Sequence, residues 1–252
     1  MTKTKASGRF VWHELTTRDI AASKGFYGEL LGWKTKDMPM GPGGSYTIIE
    51  TADGKQIGGF VKLEKGAPAW LPYVFSDDVD AGVTRAKGKG ADVLAPAFDV
   101  PGVGRMATLT HADGGTFALI KGDDMGKEPA ERPGVGTFCW NELVSQNPKA
   151  GVALHTEVFG YETEDKDMGP MGTYTILKRG DVQTAGAMKA MDPRAPSMWL
   201  GYVAVDNVDN SFERSKKLGA KELVAPADIP GVGRFAVISD PGGAVVALFK
   251  GA

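Results

Sequence analysis

The chain has 252 residues, 42% apolar and 24% charged, with Lys+Arg 29 against Asp+Glu 31 and a formal net charge of -2. That length suits one large domain or two ordinary ones at roughly 100–200 residues each, and the composition excludes a disordered chain. There is no basic excess to neutralise phosphates, no apolar run near the ~18 residues of a membrane span, and no apolar stretch after Lys3 and Lys5. The expectation is no nucleic-acid partner, no membrane and no secretory leader.

Residues 11–16 alternate Val11, His13, Leu15 against Trp12, Glu14, Thr16, the pattern of a strand. Asp19 can cap a helix running to about Leu31, with Ile20, Phe26, Tyr27, Leu30 and Leu31 as its apolar stripe and Gly32 as its stop. Short strands are predicted at Trp33–Met38, Tyr46–Thr51 and Ile57–Leu63, with Asp53-Gly54 as a hairpin turn. A strand at Leu71–Phe75, a helix after Asp80, and strands near Val93, Met106–Thr110 and Thr116–Ile120 repeat the plan. Asn147-Pro148 opens a later helix as a cap followed by proline.

The chain is a duplication. Phe10-Val-Trp-His-Glu-Leu15 returns as Phe138-Cys-Trp-Asn-Glu-Leu143, an offset of 128 (10 to 138). Met40–Ile48 returns as Met168–Ile176 at the same offset, Trp70–Tyr73 as Trp199–Tyr202, and Ala95–Arg105 as Ala225–Arg234. Several blocks in one order point to two homologous domains, 7–123 and 134–252, joined by a polar, proline-containing linker at 124–133. Four β-α-β-β-β modules result.

The sequence resembles the vicinal oxygen chelate superfamily, the group of glyoxalase I, bleomycin-resistance proteins and extradiol dioxygenases. Asp19 with Phe26-Tyr27 and Leu31-Gly32-Trp33 bears the likeness, as do Asp78-Val79-Asp80-Ala81 and Lys89-Gly90-Ala91. Phe159-Gly160-Tyr161, Asn207-Val208-Asp209, Leu218-Gly219-Ala220 and the run from Ser239 to Gly243 do so in the second half. The resemblance implies an α+β fold: two tandem glyoxalase-like domains, each of two paired β-α-β-β-β modules forming an open barrel around a cavity. The metal enzymes of that family place ligands at fixed strand positions. Those positions fall on Trp12, Leu71, Ala118 and the glycines near Gly58-Gly59, and on Trp140, Leu200, Ala247 and Gly186-Ala187. None of these side chains binds a divalent cation. The expectation is therefore no metal and no other cofactor in either domain. His13 does not restore a site, because it alternates to the opposite face from Trp12 and its counterpart is Asn141.

If Trp12 faces the cavity, alternation puts Glu14 beside it, and Trp140 and Glu142 repeat the pair. The same parity turns Tyr73 and Tyr202 inward, Tyr46 and Tyr174 lie by the Met-Gly-Pro loops that cover the cavity, and Arg105 and Arg234 sit where glycine-rich loops enter strands. Such walls suit a flat or cationic ligand. Glu14 and Glu142 are then the polar contacts or acid–base groups of two small-molecule sites. Equally open are rings that merely fill a barrel, and glutamates buried as ion pairs with Arg105 and Arg234. His111 in a turn and His155 in a helix are expected at the surface, and Cys139 as a small buried hydrophobe fitting a reducing cytoplasm. Four readings follow: a metal-free binding protein, a metal-free hydroxylase-like or lyase enzyme, a metal-dependent glyoxalase-type enzyme, and a protein whose cavities are filled. With four modules in one chain a monomer is compatible with the sequence, as is a dimer.

Overall fold

The structure, a computed structural model, describes residues 7–40, 44–112, 114–123, 125 and 133–252. The first module is β1 (Phe10–Thr17), α1 (Ile20–Leu31), β2 (Lys34–Pro39), β3 (Ser45–Glu50) and β4 (Gln56–Lys62). The second is β5 (Ala69–Phe75), α2 (Val79–Gly88), β6 (Asp92–Val100), β7 (Gly104–His111) and β8 (Gly114–Lys121). The third runs β9 (Phe138–Ser145), α3 (Pro148–Phe159), β10 (Glu162–Asp167), β11 (Thr173–Arg179) and β12 (Val182–Lys189). The fourth is β13 (Met198–Ala204), α4 (Val208–Lys217), β14 (Lys221–Ile229), β15 (Gly233–Ser239) and β16 (Val245–Gly251).

Strands β1–β8 form one sheet in the order β2-β3-β4-β1-β5-β8-β7-β6, and β9–β16 form another in the matching order β10-β11-β12-β9-β13-β16-β15-β14. β1 runs parallel to β4 and β5 parallel to β8, while the hairpin neighbours are antiparallel. The sheets are open; they do not close into barrels. The identical strand orders are the duplication made visible.

Helix ends follow local chemistry. Asp19 Oδ1 accepts the Ala22 amide at 2.9 Å, and Gly32 closes α1 at φ 71, a conformation glycine adopts without a Cβ clash. Asn147 caps α3 with Pro148 behind it. At α2 the expectation needs correcting. The cap is Asp78, in extended backbone with its side chain on the Ala81 amide at 3.0 Å, and Asp80 lies inside the first turn. The expected linker at 124–133 lies almost wholly outside the described residues.

The modules group into two compact units, one holding the first and fourth modules and the other the second and third. In the first-and-fourth unit the core joins Leu15, Tyr27 and Trp70 to Phe212 and Ile238. Here Trp70 Nε1–H donates to the Tyr27 hydroxyl at 3.1 Å, and that hydroxyl donates to Asp240 Oδ2 at 2.9 Å. In the other unit the core joins Val74, Leu119 and Phe117 to Leu143, Leu154 and Trp199.

The expected surface placement of His111 and His155 is wrong. Both are buried, at 5% and 0% exposure, with their Nε2 atoms 2.9 Å apart. Gly151, Leu154, His155, Val158 and Phe159 are all buried on α3, so position on the helix outranks the polarity of the side chain. The two pairs occupy equivalent places: residue 155 is the duplicate of 27, 199 of 70, and 240 of 111.

Candidate functional site

Alternation along β1 separates two faces. His13, Leu15 and Thr17 are buried, Leu15 within the helical core, while Trp12, Glu14 and Thr16 on the other face are only half-buried. On β9 the same parity buries Asn141, Leu143 and Ser145 and leaves Trp140 half-buried beside a buried Glu142.

Three of the predicted residues meet in each copy. Trp12 Nε1–H donates to the Tyr46 hydroxyl at 2.8 Å, and that hydroxyl donates to Glu14 Oε2 at 3.1 Å. In the duplicate Trp140 Nε1–H donates to the Tyr174 hydroxyl at 2.8 Å, and Tyr174 is hydrogen-bonded to Glu142. Burial and the neighbouring glutamate push both tyrosines well above the usual phenol range, so each keeps its proton for the carboxylate.

A glycine makes the arrangement fit. Gly59 on β4 is in register with Glu14 on β1 and with Ile48 on β3. A Cβ at Gly59 would lie 2.2 Å from the Tyr46 hydroxyl oxygen and 2.3 Å from its Cζ, so the phenol ring crosses directly over the glycine. Gly186 is in register with Glu142, and a Cβ there would lie 2.0 Å from the Tyr174 hydroxyl oxygen. Sequence reasoning marked these glycines only as absent metal ligands. Their role as seats for Tyr46 and Tyr174 needs the strand register to be seen.

Tyr73 is buried on β5 in register with Ala118. Tyr202 is buried on β13 in register with Ala247, its ring near Phe235 and Phe249 at 6.4 and 6.2 Å. Arg105 grips Asp80 through Nε at 2.6 Å and Nη2 at 2.9 Å, and reaches Asp99 through Nη1 at 3.0 Å. Arg234 does the same with Asp209, at 2.8 Å twice, and with Asp228 at 2.9 Å. The carboxylates on each arginine are therefore one aspartate in the first turn of the module's helix, Asp80 or Asp209, and one beside the glycine-rich loop, Asp99 or Asp228, which replaces the alternative of pairs with Glu14 and Glu142. Of the Met-Gly-Pro loops, residues 41–43 lie outside the described residues, and Gly169–Met171 forms one turn of 3₁₀-helix.

Cys139 donates to the Tyr202 carbonyl at 3.4 Å, and burial pushes its thiol up to about 12, which makes it a poor nucleophile. His13 is buried and its ring stacks on Phe138, centroids 3.7 Å apart.

A divalent cation does not fit the donors present at the implied positions. The Trp12 indole offers a hydrogen and no ligating lone pair, Gly59 offers no side chain, and the space above Gly59 holds the Tyr46 ring. Among the described residues no group of three or more His, Cys, Asp or Glu is placed to hold a metal ion.

Paired β-α-β-β-β modules in two open sheets define a glyoxalase-like fold, and each half carries a polar triad drawn from its first and third strands. Residues 9–52 match the model of the bleomycin resistance protein-like N-terminal family. The chain is 34% identical to "Putative glyoxylase CFP32" of Mycobacterium tuberculosis over 95% of its own length and 93% of the relative's. It is 32% identical to the anthracycline biosynthesis protein DnrV of Streptomyces peucetius over 98% and 95%. The chain thus belongs to the vicinal oxygen chelate superfamily. Its fold is shared by the Mn(II)-bound glyoxalase of Novosphingobium aromaticivorans (TM-score 0.64, 20% identity, 98% of this chain and 82% of that one). The 2,3-dioxygenase LapB of Pseudomonas sp. KL28 shares it as well (TM-score 0.67, 13% identity, 98% and 94%).

Proposed function

We propose that this protein binds a small, partly aromatic organic molecule at each triad, without the metal of the superfamily's enzymes. The observation behind this reading is the glycine seat. Where the resemblance implies a ligand, Gly59 and Gly186 instead receive the rings of Tyr46 and Tyr174, which bridge a tryptophan to a glutamate. Half-buried Trp12 and Trp140 offer ring faces on which a flat molecule stacks. Two Streptomyces relatives are named for anthracycline biosynthesis, and a fused aromatic ring system is the class these faces suit.

The test is titration of a fused-ring aromatic into purified protein before and after chelation, with metal content measured alongside. Binding should survive chelation and weaken about fivefold or more in the Trp12→Leu, Trp140→Leu variant, as expected for lost stacking. A stoichiometric metal whose removal abolishes binding overturns the reading. A metal-free hydroxylase-like or lyase enzyme, with Glu14 and Glu142 as acid–base groups, is the second reading. It is favoured by the burial of Glu142 under a tyrosine hydrogen bond and by the glyoxylase name of the mycobacterial relative. Turnover that persists in Glu14→Gln, Glu142→Gln protein removes it.

A further inference from the structure

Each unit carries one triad and one buried polar pair, and the two pairs differ in chemistry. The second-and-third unit holds Trp140, Glu142 and Tyr174 together with His111 and His155; the first-and-fourth unit holds Trp12, Glu14 and Tyr46 together with Tyr27 and Asp240. The histidine pair has the weaker footing. One hydrogen serves both Nε2 atoms, while His155 Nδ1 and the Trp199 indole N–H are buried with no hydrogen-bond partner among the described residues. A proton added to the accepting ring would set two N–H groups face to face, inside a wall of Phe117, Phe159 and Trp199 that carries no balancing charge.

Charged and titratable groups on the elements around α3 have other partners or face solvent. Arg85 of α2 donates to the Val158 carbonyl, and Lys89 pairs with Glu157 at 3.3 Å. Lys178 of β11 pairs with Glu164, Arg179 donates to Thr184, and Tyr161 donates to the Gly8 carbonyl. Lys121, Lys149 and Lys189 are exposed, and Glu142 projects from the opposite face of β9 to Leu143. Tyr27 with Asp240 has no comparable liability, because a phenol and a protonated carboxyl are both neutral.

Leu143 links the histidine pair to the triad. A Cβ at Gly151 of α3 would lie 2.3 Å from Leu143 Cδ2 and 3.2 Å from His111 Cε1; one at Gly115 of β8 would lie 3.0 Å from Leu143 Cδ1 and 3.4 Å from His111 Cδ2. Leu143 and His111 therefore share two glycine seats, and Leu143 directly follows Glu142 on β9. Displacing His111 or α3 unseats Leu143, and with it the strand that keeps Glu142 in register with Gly186.

We infer that the second triad is acid-gated and the first is not: proton uptake by the His111–His155 pair frees α3 from Leu143 and opens the Trp140–Tyr174–Glu142 arrangement, while Trp12, Tyr46 and Glu14 stay closed. Burial, then His111, holds His155 well below its ordinary value of 6.5, so opening becomes more favourable as pH falls below that value. The duplication thereby yields one constitutive triad and one that answers to pH.

Indole N–H exchange of Trp140 and Trp12, followed by NMR on the intact chain at pH 7.5 and 4.5, tests this without a ligand and so independently of the binding reading. The ratio of the Trp140 rate to the Trp12 rate cancels the intrinsic effect of pH. It should rise at least about tenfold on acidification, the factor that one proton taken up on opening gives per pH unit. In His155→Gln protein, which cannot take up that proton, the ratio should change by less than about threefold. If that variant does not fold, His111→Asp supplies the comparison, because a carboxylate beside His155 accommodates the charge in place. A ratio that does not rise in the natural chain, whether neither triad opens or both open together, overturns the inference. So does a rise that persists in the folded variant.

Discussion

Exchanging one buried polar pair for its duplicate, His111→Asp with His155→Tyr, should change the sign of this core's response to acid. The Nε2 atoms of His111 and His155 lie 2.9 Å apart, so one ring donates while the other accepts. Phe117, Phe159 and Trp199 pack their rings around His155, at 4.4, 5.7 and 4.9 Å between centroids. Charged groups on the surrounding helices are engaged elsewhere: Arg85 donates to the Val158 carbonyl at 3.0 Å, and Lys89 pairs with Glu157 at 3.3 Å. Burial first, and His111 second, hold His155 well below its ordinary value of 6.5. Below pH 6.5 the unfolded chain therefore binds a proton that the folded chain refuses, and stability falls by about 1.4 kcal/mol per pH unit until the folded imidazole titrates. Asp240, in the equivalent place beside Tyr27, is shifted the other way, because burial raises its carboxyl above 3.8. A folded carboxyl of that kind takes its proton before the unfolded one does, so its contribution grows as pH falls through the folded value. Urea unfolding at pH 7.5 and 4.5, followed by amide exchange on α2 and α3, measures the difference. The exchanged variant should keep most of what the natural chain loses on acidification. An equal acid loss in both proteins, with a folded variant at pH 7.5, refutes the assignment to the histidine pair. If the double exchange does not fold, His155→Gln supplies the comparison, since it cannot acquire the charge.

Two further outcomes follow from local geometry. Gly59→Ala places a methyl 2.2 Å from the Tyr46 hydroxyl oxygen, so the ring must move and the Trp12 and Glu14 bonds open; the expected cost is about 1–3 kcal/mol, with a shift of the Trp12 indole N–H resonance. An unchanged indole resonance in that variant would show that the ring does not sit on its seat. Cys139, raised from 9.0 to about 12, carries about a thousandfold less thiolate at neutral pH than a free thiol, so alkylation should proceed only as fast as the chain opens. Alkylation of folded protein at the rate of a denatured control would contradict that burial.

Much of this fold is legible because alternation and capping are local. The period-two pattern of β1 placed Trp12 with Glu14 and apart from Leu15, and the structure keeps that parity. Strand limits moved by a residue or two, as at Ala69–Phe75 against the expected Leu71–Phe75, because frayed strand ends have no side-chain signature. The helix expected after Asp80 starts two residues earlier, at Val79, because the extended backbone at Asp78 that makes it the cap has no signature in the residue types. His155 was misplaced for a different reason: its type suggested the surface while its spacing from Gly151 and Phe159 put it on the buried stripe. The partners of Arg105 were not legible at all, since Asp80 lies 25 residues away and reaches it only through the fold.

The duplication separates what packing tolerates from what a site demands. In the helical cores the two copies solve the same burial problem with different chemistry. Tyr27 with Asp240 stands where His155 stands with His111, and Trp70 finds the Tyr27 hydroxyl where the Trp199 N–H is buried with no hydrogen-bond partner among the described residues. Trp33 donates to the Gly136 carbonyl and its duplicate Tyr161 to that of Gly8, one job done by two kinds of ring. A core accepts any such solution whose volume fits and whose polar atoms mostly pair. The triads and their glycine seats show no such change. Trp12, Glu14, Tyr46 and Gly59 recur as Trp140, Glu142, Tyr174 and Gly186, with the tryptophan-to-tyrosine bond 2.8 Å in both. Half-buried tryptophans contribute less to stability than the fully buried Tyr27 does, so packing alone would give them more freedom to diverge than the cores have. Polar core positions such as Tyr27 with Asp240 changed between the copies and the triads did not, which is the pattern expected if the triads contact something other than the protein itself.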